Sequence, residues 1–484
     1  MDILLLSQDE THPFYEKVNA YFSGPFMDVV GPRELFATPP LGITLLATRL
    51  NGLGFKAVPI HNVFTREESG RRVVAELQAQ PFAVGVSTTH TFRPETLAEI
   101  TGLVRRLSPG SALIVGGPGA EWNEALRPAD AVTVFGPAEE TLPRLLDALK
   151  AGVDPAGVPN LAYFKDGAWV ETAREENSPI GSVPEPDWGL YPAPPVKAPV
   201  QSSRGCARAC GFCAYSGPAS FRPAAAVLSE IMNNRRQWGL NFFRFTDSDF
   251  AADPDRARVL CRGLEREGGF SWTCFARADS LLVPGLLEDM RRAGCLWVFL
   301  GIESGSDKIL QAMGKGCKVR EMREAVNKIK AAGMGTHGNF VVGYPGETDA
   351  TTEESLDFAL TSGLDTVYYS PFQIRSRSIP AYLHRAAHGL EGGAMGWRHA
   401  TMSSEETIVR TLELMEKTWL RPGAPLLTSE AFFSLFSEGE GEIFRANVLE
   451  FFSAVGDWHR AKRAGDDAGL ERSRGVMRRH LPRV

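Results

Sequence analysis

The chain has 484 residues, which at about 150 per domain predicts about three domains with substantial cores. Hydrophobic residues at 43% and charged residues at 23% exclude wholesale disorder and a fibrous repeat. Lys+Arg of 52 against Asp+Glu of 58 gives −6, and with no dense basic block a nucleic acid is not an expected partner. The opening Met1-Asp2-Ile3-Leu4-Leu5-Leu6-Ser7-Gln8-Asp9-Glu10 is too short in its apolar run for a secretory core and reads as a first strand. No apolar stretch reaches the roughly 18 to 20 residues that cross a bilayer, so no membrane segment and a cytoplasmic location are expected. Seven cysteines is an odd number, and clustered thiols in a reducing compartment point to metal or catalysis rather than disulfides.

Residues 2–150 alternate short apolar runs with amphipathic ones: Ile3 to Leu6 then Leu41 to Leu53, Lys56 to Ile60 then Glu67 to Leu77, and Phe82 to Ser87 then Leu97 to Leu107. The pattern goes on through Ala112 to Val115, Glu121 to Leu126, Ala131 to Phe135 and Glu139 to Leu149. Strand then helix, about five times over, predicts a doubly wound, Rossmann-like α/β domain over 1–150. Ligands of such sheets bind beyond the carboxyl ends of the strands. Those ends carry Ser87-Thr88-Thr89-His90, Gly116-Gly117-Pro118-Gly119 and Gly136-Pro137-Ala138-Glu139, which would let a large flat or phosphate-bearing ligand approach the backbone, or serve as plain turns. Residues 7–38 lack periodicity and read as either a functional lid or a disguised element, at the same rim. Residues 151–198 are rich in proline and read as a linker.

From Val200 the alternation restarts. A strand runs into Cys206, followed by helix Ala224 to Trp238, strand Asn241 to Phe245, helix Asp255 to Arg266 and strand Phe270 to Phe275. Helix Gly285 to Ala293, strand Leu296 to Ile302, helix Arg320 to Ala332, strand Thr336 to Val342, helix Glu353 to Thr361 and strand Thr366 to Ser370 complete the series. Six βα units predict a partial (β/α)6 barrel over 199–390, with functional groups at the strands' carboxyl ends. Residues 391–484 read as a helical region, opened by the capping-box pattern Ser403-Ser404-Glu405-Glu406.

The densest chemical signal is Cys206-Ala207-Arg208-Ala209-Cys210-Gly211-Phe212-Cys213, three thiols within eight residues after the first barrel strand. Structural zinc usually wants four ligands, and no histidine lies in the loop. Three thiolates on a [4Fe–4S] cube leave one iron without a protein ligand, open to a small molecule. A non-catalytic carrier whose cysteines bind zinc is the reading from a different class.

CxxxCxxC with an aromatic before the third cysteine, ahead of a run of βα units, resembles the radical S-adenosylmethionine (SAM) superfamily over roughly residues 200–375. The resemblance implies a [4Fe–4S] cluster on Cys206, Cys210 and Cys213, and SAM held through Phe212, Asp247, Ser248, Asp249, Arg277, Glu303 and Ser304. Asp247 and Asp249 would accept from the methionyl ammonium, Arg277 would fork onto the methionyl carboxylate, and Glu303 would meet the ribose or methionyl part. Gly343-Tyr344-Pro345-Gly346-Glu347-Thr348 is similar to the family's adenine-side turn. Residues 1–150 resemble the cobalamin-binding domain that precedes many such enzymes, with Leu41, Gly42, Ser87, Thr88, Thr89, Gly116, Gly117, Gly136 and Glu139 as cobalamin contacts. The Asp-x-His-x-x-Gly that supplies a lower cobalt ligand is missing: Asp9 and His12 have the wrong spacing, and His61 and His90 are single histidines near strand ends.

What the resemblance implies is a cobalamin-dependent enzyme that uses a 5′-deoxyadenosyl radical and methylcobalamin to methylate an unactivated carbon of a small biosynthetic intermediate, fed by an external low-potential electron donor. The alternative is a radical SAM cyclase, rearrangement or oxidation catalyst in which cobalamin is absent or is not a methyl donor. Cys261, Cys274, Cys295 and Cys317 lack ligand spacing and read as apolar fillers. His384 and His388 are spaced to share a helical face but have no acidic residue between them, and Trp397-Arg398-His399 is expected to shape the substrate pocket.

Overall fold

In the computed structural model, parallel strands dominate both halves of the chain, and the residues fall into two compact units that meet in sequence between Pro195 and Val196. The structure describes residues 1–10, 39–91, 93–175, 180–195, 197–215, 217–393, 396–421, 423–428 and 442–480, with Val29 and Phe433 as isolated positions. The expected lid over 7–38 lies almost wholly outside the described residues.

The first unit contains β1 (Ile3–Ser7), α1 (Leu41–Gly52), β2 (Ala57–His61), α2 (Glu67–Gln78), β3 (Ala83–Ser87), α3 (Pro94–Leu107), β4 (Ala112–Gly116), α4 (Pro118–Trp122), β5 (Val132–Val134) and α5 (Thr141–Lys150). Strand order is β2-β1-β3-β4-β5, all parallel. Side chains alternate across a strand, and both sets here are apolar because both faces are covered. Leu4 and Leu6 join Val73, Leu77, Ile100 and Val104 of α2 and α3. Ile3 and Leu5 join Ile43, Ala47, Leu145 and Leu146 of α1 and α5 on the other side.

The stretch read as a linker holds two further strands, β6 (Leu161–Lys165) and β7 (Ala168–Glu171), an antiparallel hairpin that extends this sheet from β5. Asp166 and Gly167 both have positive φ at its turn, 51° and 82°, as a two-residue hairpin requires.

The second unit begins with β8 (Ala198–Val200), β9 (Ser203–Cys206), β10 (Gly217–Phe221), α6 (Ala224–Trp238), β11 (Phe242–Phe245), α7 (Pro254–Glu267), β12 (Ser271–Ala276), α8 (Leu286–Arg292) and β13 (Cys295–Glu303). It continues through α9 (Asp307–Ala312), α10 (Val319–Ala331), β14 (Gly335–Val342), α11 (Asp349–Thr361), β15 (Thr366–Pro371) and the short helices α12 (Pro380–Leu383) and α13 (Arg385–His388). The six βα strands run parallel in the order β8-β11-β12-β13-β14-β15, as the alternation predicts. The strand expected to run into Cys206 is instead two: β8 enters the sheet and stops at Val200, and among the described residues β9 pairs only with β10.

Residues 391–484 are not wholly helical. β16 (Glu391–Gly393), β17 (Gly396–His399) and β18 (Met402–Ser403) form a small antiparallel sheet, and β19 (Leu426–Leu427) adds a seventh parallel strand beside β15. Between them α14 (Ser404–Leu420) starts on the expected capping box, Ser403 Oγ accepting from Glu406 N at 3.2 Å and Glu406 Oε2 from Ser403 N at 2.7 Å. Helices α15 (Glu442–Ala464) and α16 (Asp467–His480) follow.

Alternation also sorts the second sheet. Ala276, Ile302, Phe340, Val342, Val367 and Tyr369 are buried, whereas Phe275, Gly301, Asn339, Val341, Tyr368 and Ser370 on the opposite face are partly exposed. Deeper on that face Trp297 is fully buried, packed edge-on against Phe433 and Phe444 at 5.0 and 6.5 Å. Trp297→Ala is expected to destabilise the second unit by about 3–5 kcal/mol, read as a lowered denaturant midpoint with an unchanged slope.

Candidate active site

The three cysteines sit at the crossing of several elements. Cys206 ends β9, paired opposite Gly217. The loop after it is pinned on both sides of Gly211, whose N–H donates to Met313 O at 2.7 Å and whose carbonyl accepts from Ala381 N at 2.9 Å. A Cβ on Gly211 would collide with the Tyr344 hydroxyl, so only glycine fits there. Cys213 N donates to Cys210 O at 3.0 Å, and Tyr215 N approaches Cys213 Sγ at 3.4 Å, a backbone donor aimed at sulfur. Phe212 packs with Ile309, Met313 and Tyr344.

Burial pushes the Cys210 and Cys213 thiols up from their ordinary range; at Cys210 the nearby Lys315 and Arg277 oppose that. Thiolates in such a site need compensating positive charge or a metal centre. Among the described residues no three His, Cys, Asp or Glu side chains converge closely enough to hold a single metal ion. Three unbonded thiols on one anchored loop, a backbone N–H at one sulfur and two buried cations alongside form a donor set that fits a [4Fe–4S] cluster.

Around the loop, the carboxylates act differently from the expectation. Asp247, after β11, is 1% exposed, and both its oxygens serve the chain itself: Ser202 Oγ donates to Oδ2 at 2.9 Å, Ser203 Oγ to Oδ1 at 2.6 Å, and Ser203 N also donates to Oδ1. Arg256 closes the group, donating to Ser202 O at 2.9 Å and Ser202 Oγ at 3.2 Å. Asp249 accepts from Arg277 N and Ala251 N, each at 3.2 Å, and from Ser280 Oγ at 2.6 Å. Burial raises the pKa of both carboxyls against these bonds. Of the Thr246–Asp249 segment, only Ser248 is exposed.

The Arg277 fork expected to grip a carboxylate already holds one, Nε and Nη2 reaching Asp279 Oδ1 and Oδ2 at 2.9 and 3.1 Å. Its Nη1 lies 4.0 Å from Cys210 Sγ, and Nη2 also donates to Lys315 O at 2.5 Å. Glu303, at φ 64°, accepts from Lys315 Nζ at 2.8 Å. Ser304 is fully buried and turned into α11, within 3.2 Å of Ser355 Oγ. Lys315 and Asp279 were not among the expected site residues; the only hint was Gly314-Lys315-Gly316, two glycines that both take left-handed φ, 64° and 74°, around one lysine.

The turn after β14 is likewise built from within. Glu347 accepts from Gly343 N, and burial pushes its pKa up to about 7. His399 of β17 donates from Nε2 to Gly343 O at 3.0 Å and stacks on Trp397 at 5.1 Å. His384 and His388 do not share a continuous helix, because α12 ends before His384 and α13 starts after it. Cys261, Cys274, Cys295 and Cys317 are all buried.

In the first unit, the strand ends form a rim of small residues. Thr88 is buried and pins the neighbouring turn, its Oγ1 donating to Gly116 O at 2.9 Å and accepting from Ala120 N at 2.8 Å. A Cβ on Gly119 would come within 2.6 Å of Thr88 O, and one on Gly117 within 3.1 Å of Thr89 N. These glycines therefore let two loops approach each other. Thr89 and Gly42 are exposed, and nothing lies within 4 Å of where a Gly42 Cβ would stand. Ser87, Gly116, Gly117, Gly136 and Glu139 are half-buried, and Leu41 packs on Ile180, Val183 and Leu45. An open rim of this kind, at the carboxyl edge of a doubly wound sheet, fits a large planar cofactor.

Beside the rim, Asp9 bridges two histidines, His90 Nδ1 at 2.7 Å and His61 Nε2 at 3.0 Å, the latter poorly aligned for a hydrogen bond. Ser7 Oγ meets His61 Nδ1 at 2.9 Å.

Comparisons with known proteins bear on both parts of the chain. Residues 200–359 match the family model of the radical SAM superfamily, and residues 30–146 match that of the B12 binding domain; together they take up more than half of the chain. The chain belongs to the radical SAM superfamily and carries a B12-binding domain. This pairing implies a [4Fe–4S] cluster, SAM and cobalamin as cofactors. An uncharacterised methyltransferase of Pyrococcus horikoshii is 28% identical over 312 residues, covering 61% of this chain and 66% of that protein. An anaerobic magnesium-protoporphyrin IX monomethyl ester cyclase of Rubrivivax gelatinosus is 26% identical over 375 residues, covering 72% and 64%. The chain thus spans slightly less than two thirds of the length of these relatives. The radical SAM methyltransferase TsrM of Kitasatospora setae, solved with cobalamin and a [4Fe–4S] cluster, superposes with a TM-score of 0.69 at 17% identity over 98% of this chain and 100% of that one. The cobalamin-dependent SAM radical enzyme OxsB gives 0.61 at 18% identity over 99% and 71%. Among the described residues no helix is long and apolar enough to cross a membrane.

Two outcomes follow for the radical SAM chain. Asp247→Ala strips the acceptors from Ser202 and Ser203, so the anaerobically reconstituted variant is expected to retain less iron per chain than wild type while the first unit unfolds unchanged. Burial pushes the Asp9 carboxyl up, but the two histidines that close on it, His61 and His90, outweigh this and hold its pKa below the ordinary range. A depressed carboxyl contributes stability above its unfolded pKa of ~4, lost as pH falls through the folded value. Asp9→Asn should therefore cost the first unit about 1–3 kcal/mol at pH 7. In urea unfolding, the gap from wild type should close progressively below about pH 5.

Proposed function

We propose that the chain is a cobalamin-dependent radical SAM methyltransferase acting on an unactivated carbon of a small biosynthetic intermediate. The observation that carries this reading is a loop of three thiols, one ligand fewer than an iron cube has corners, in the same chain as an open Rossmann-like rim. Cys206, Cys210 and Cys213 would hold the cluster, with Phe212 packed behind them. Exposed Ser248 and the Glu303 carboxylate are the groups through which SAM would be oriented, while Asp247, Asp249 and Ser304 hold the backbone that presents them. Arg277 serves SAM only by exchanging Asp279 for a substrate carboxylate; in the state described it holds the loop. Leu41, Gly42, Ser87, Thr89, Gly116, Gly117, Gly136 and Glu139 would border cobalamin, with Thr88 fixing the turn beneath. When bound, cluster and SAM supply a 5′-deoxyadenosyl radical and cobalamin supplies the methyl group.

The partly exposed face formed by Phe275, Gly301, Asn339, Val341, Tyr368 and Ser370 is the surface on which substrate would be held and water excluded. It mixes apolar, amide and hydroxyl groups, which suits a small molecule with an aliphatic or aromatic body and a few polar handles. An external low-potential donor would supply the electron. The similarity to a cyclase over 72% of the chain keeps a second reading in view: a radical cyclisation, rearrangement or oxidation without methyl donation.

The test is anaerobic incubation of reconstituted, cobalamin-loaded protein with a strong reductant, methyl-deuterated SAM and a small-molecule extract. Methylation predicts 5′-deoxyadenosine together with a small molecule carrying the deuterated methyl, both lost in Cys213→Ala. If 5′-deoxyadenosine accumulates while no molecule gains label, the second reading replaces the first. A colourless protein with stoichiometric zinc and no SAM cleavage would overturn both.

A further inference from the structure

Beside the rim of the first unit, four side chains from three strand ends make one run of contacts. Ser7 ends β1 and Asp9 follows it, His61 ends β2, and His90 follows β3. His61 is the closed member: its side chain is 6% exposed, Nδ1 meets Ser7 Oγ at 2.9 Å, and Nε2 lies 3.0 Å from Asp9 Oδ2. His90 is the open one. Its side chain is 53% exposed, and its Nδ1 lies 2.7 Å from Oδ1 of the same carboxylate, which is only 8% exposed. The two nitrogens of an imidazole point apart, so the Nε2 edge of His90 is turned away from Asp9.

The backbone holds this ring in place. Glu10 N donates to His90 O at 3.2 Å, and the next residue, Thr91, is fully buried with its Oγ1 donating to Gln8 O at 3.0 Å. Asp9 N donates to Asn62 Oδ1 at 3.2 Å, so the loops after β1, β2 and β3 are tied together around one carboxylate. His90 also adjoins the rim directly, because Thr89 is exposed and its Oγ1 lies 3.1 Å from Ser87 Oγ. Tying the loops takes only a donor to Asp9, and a shorter polar side chain supplies one without placing a second nitrogen at the rim. A carboxylate that accepts from Nδ1–H fixes the tautomer, leaves the lone pair on Nε2 and raises its basicity, which is how metal-binding histidines are usually oriented. At the carboxyl edge of this sheet, the metal such a ligand would meet is the cobalt of the corrin. The pair is assembled from two strand ends, so no sequence spacing reveals it.

We propose that His90, oriented by Asp9, is an axial ligand to the cobalt of cobalamin bound at this rim, taking the place of the cofactor's own benzimidazole. This rests on the reading of the rim as the cobalamin site, and the experiment keeps the two apart. The full chain is prepared without oxygen, labelled in histidine alone with the spin-half isotope of nitrogen, loaded with unlabelled cobalamin and desalted. Corrin per chain is read from its absorbance, and a wild type that retains none defeats the reading of the rim itself. The bound cofactor is brought to the cob(II)alamin state with a mild reductant that leaves the iron–sulfur cluster oxidised, and its EPR spectrum is recorded. An axial nitrogen splits the cobalt lines, into triplets for the unlabelled benzimidazole and into doublets for a labelled histidine. Doublets are expected in wild type, and their loss in His90→Gln with the corrin retained. Where His90→Gln releases the corrin, His12→Gln decides, since His12 is the remaining histidine of residues 1–150 besides the enclosed His61; the doublets are expected to survive in it. Triplets or unsplit lines in wild type, doublets that persist in His90→Gln, or doublets abolished in His12→Gln would overturn the proposal.

Discussion

A buried carboxylate under the first strands of the second unit governs everything downstream of it. Asp247 sits where almost no water reaches, and an unpaired charge there would cost several kcal/mol. The chain meets that demand by turning Ser202 and Ser203 inward, so that it leaves the sheet after β8 and β9 sets off in a new direction toward Cys206. Arg256 then braces the same serines. The position of the first thiol is thus set by an electrostatic requirement several residues away. Asp249 does the same for the Arg277 backbone, and through it for the cation beside Cys210.

The strand and helix order could be read from the sequence because both faces of each sheet are covered. Continuous apolar runs such as Ile3 to Leu6 follow directly from that burial, and the helices between them carry one apolar stripe each. The capping box at Ser403 was legible for the same local reason: its chemistry lies within four residues. The β6–β7 hairpin was not, because the prolines around it argue for a linker, although Asp166-Gly167 is the turn pair that two short strands need.

The site divides along similar lines. Cysteine spacing is a one-dimensional signal, so the three thiols of one loop could be singled out from it. Asp247, Asp249, Thr88 and Ser304 lie at strand ends, where a polar residue looks the same whether it faces a ligand or a neighbouring backbone N–H; only tertiary structure shows them facing inward. Lys315 was missed because a lysine between two glycines ordinarily marks an exposed turn. Arg277 was placed correctly at its strand end, yet its partner Asp279, two residues on, takes the geometry that had been reserved for a ligand.

The contact between Gly211 and the Tyr344 hydroxyl carries a mechanical consequence. With no Cβ between them, the phenol rests on the peptide that joins the second and third thiols, while Tyr344 itself belongs to the bend that leaves β14. A side chain at position 211 would have to displace either that phenol or the loop that carries the sulfurs. Two stretches of chain more than a hundred residues apart are thereby held face to face, phenol oxygen against a bare Cα.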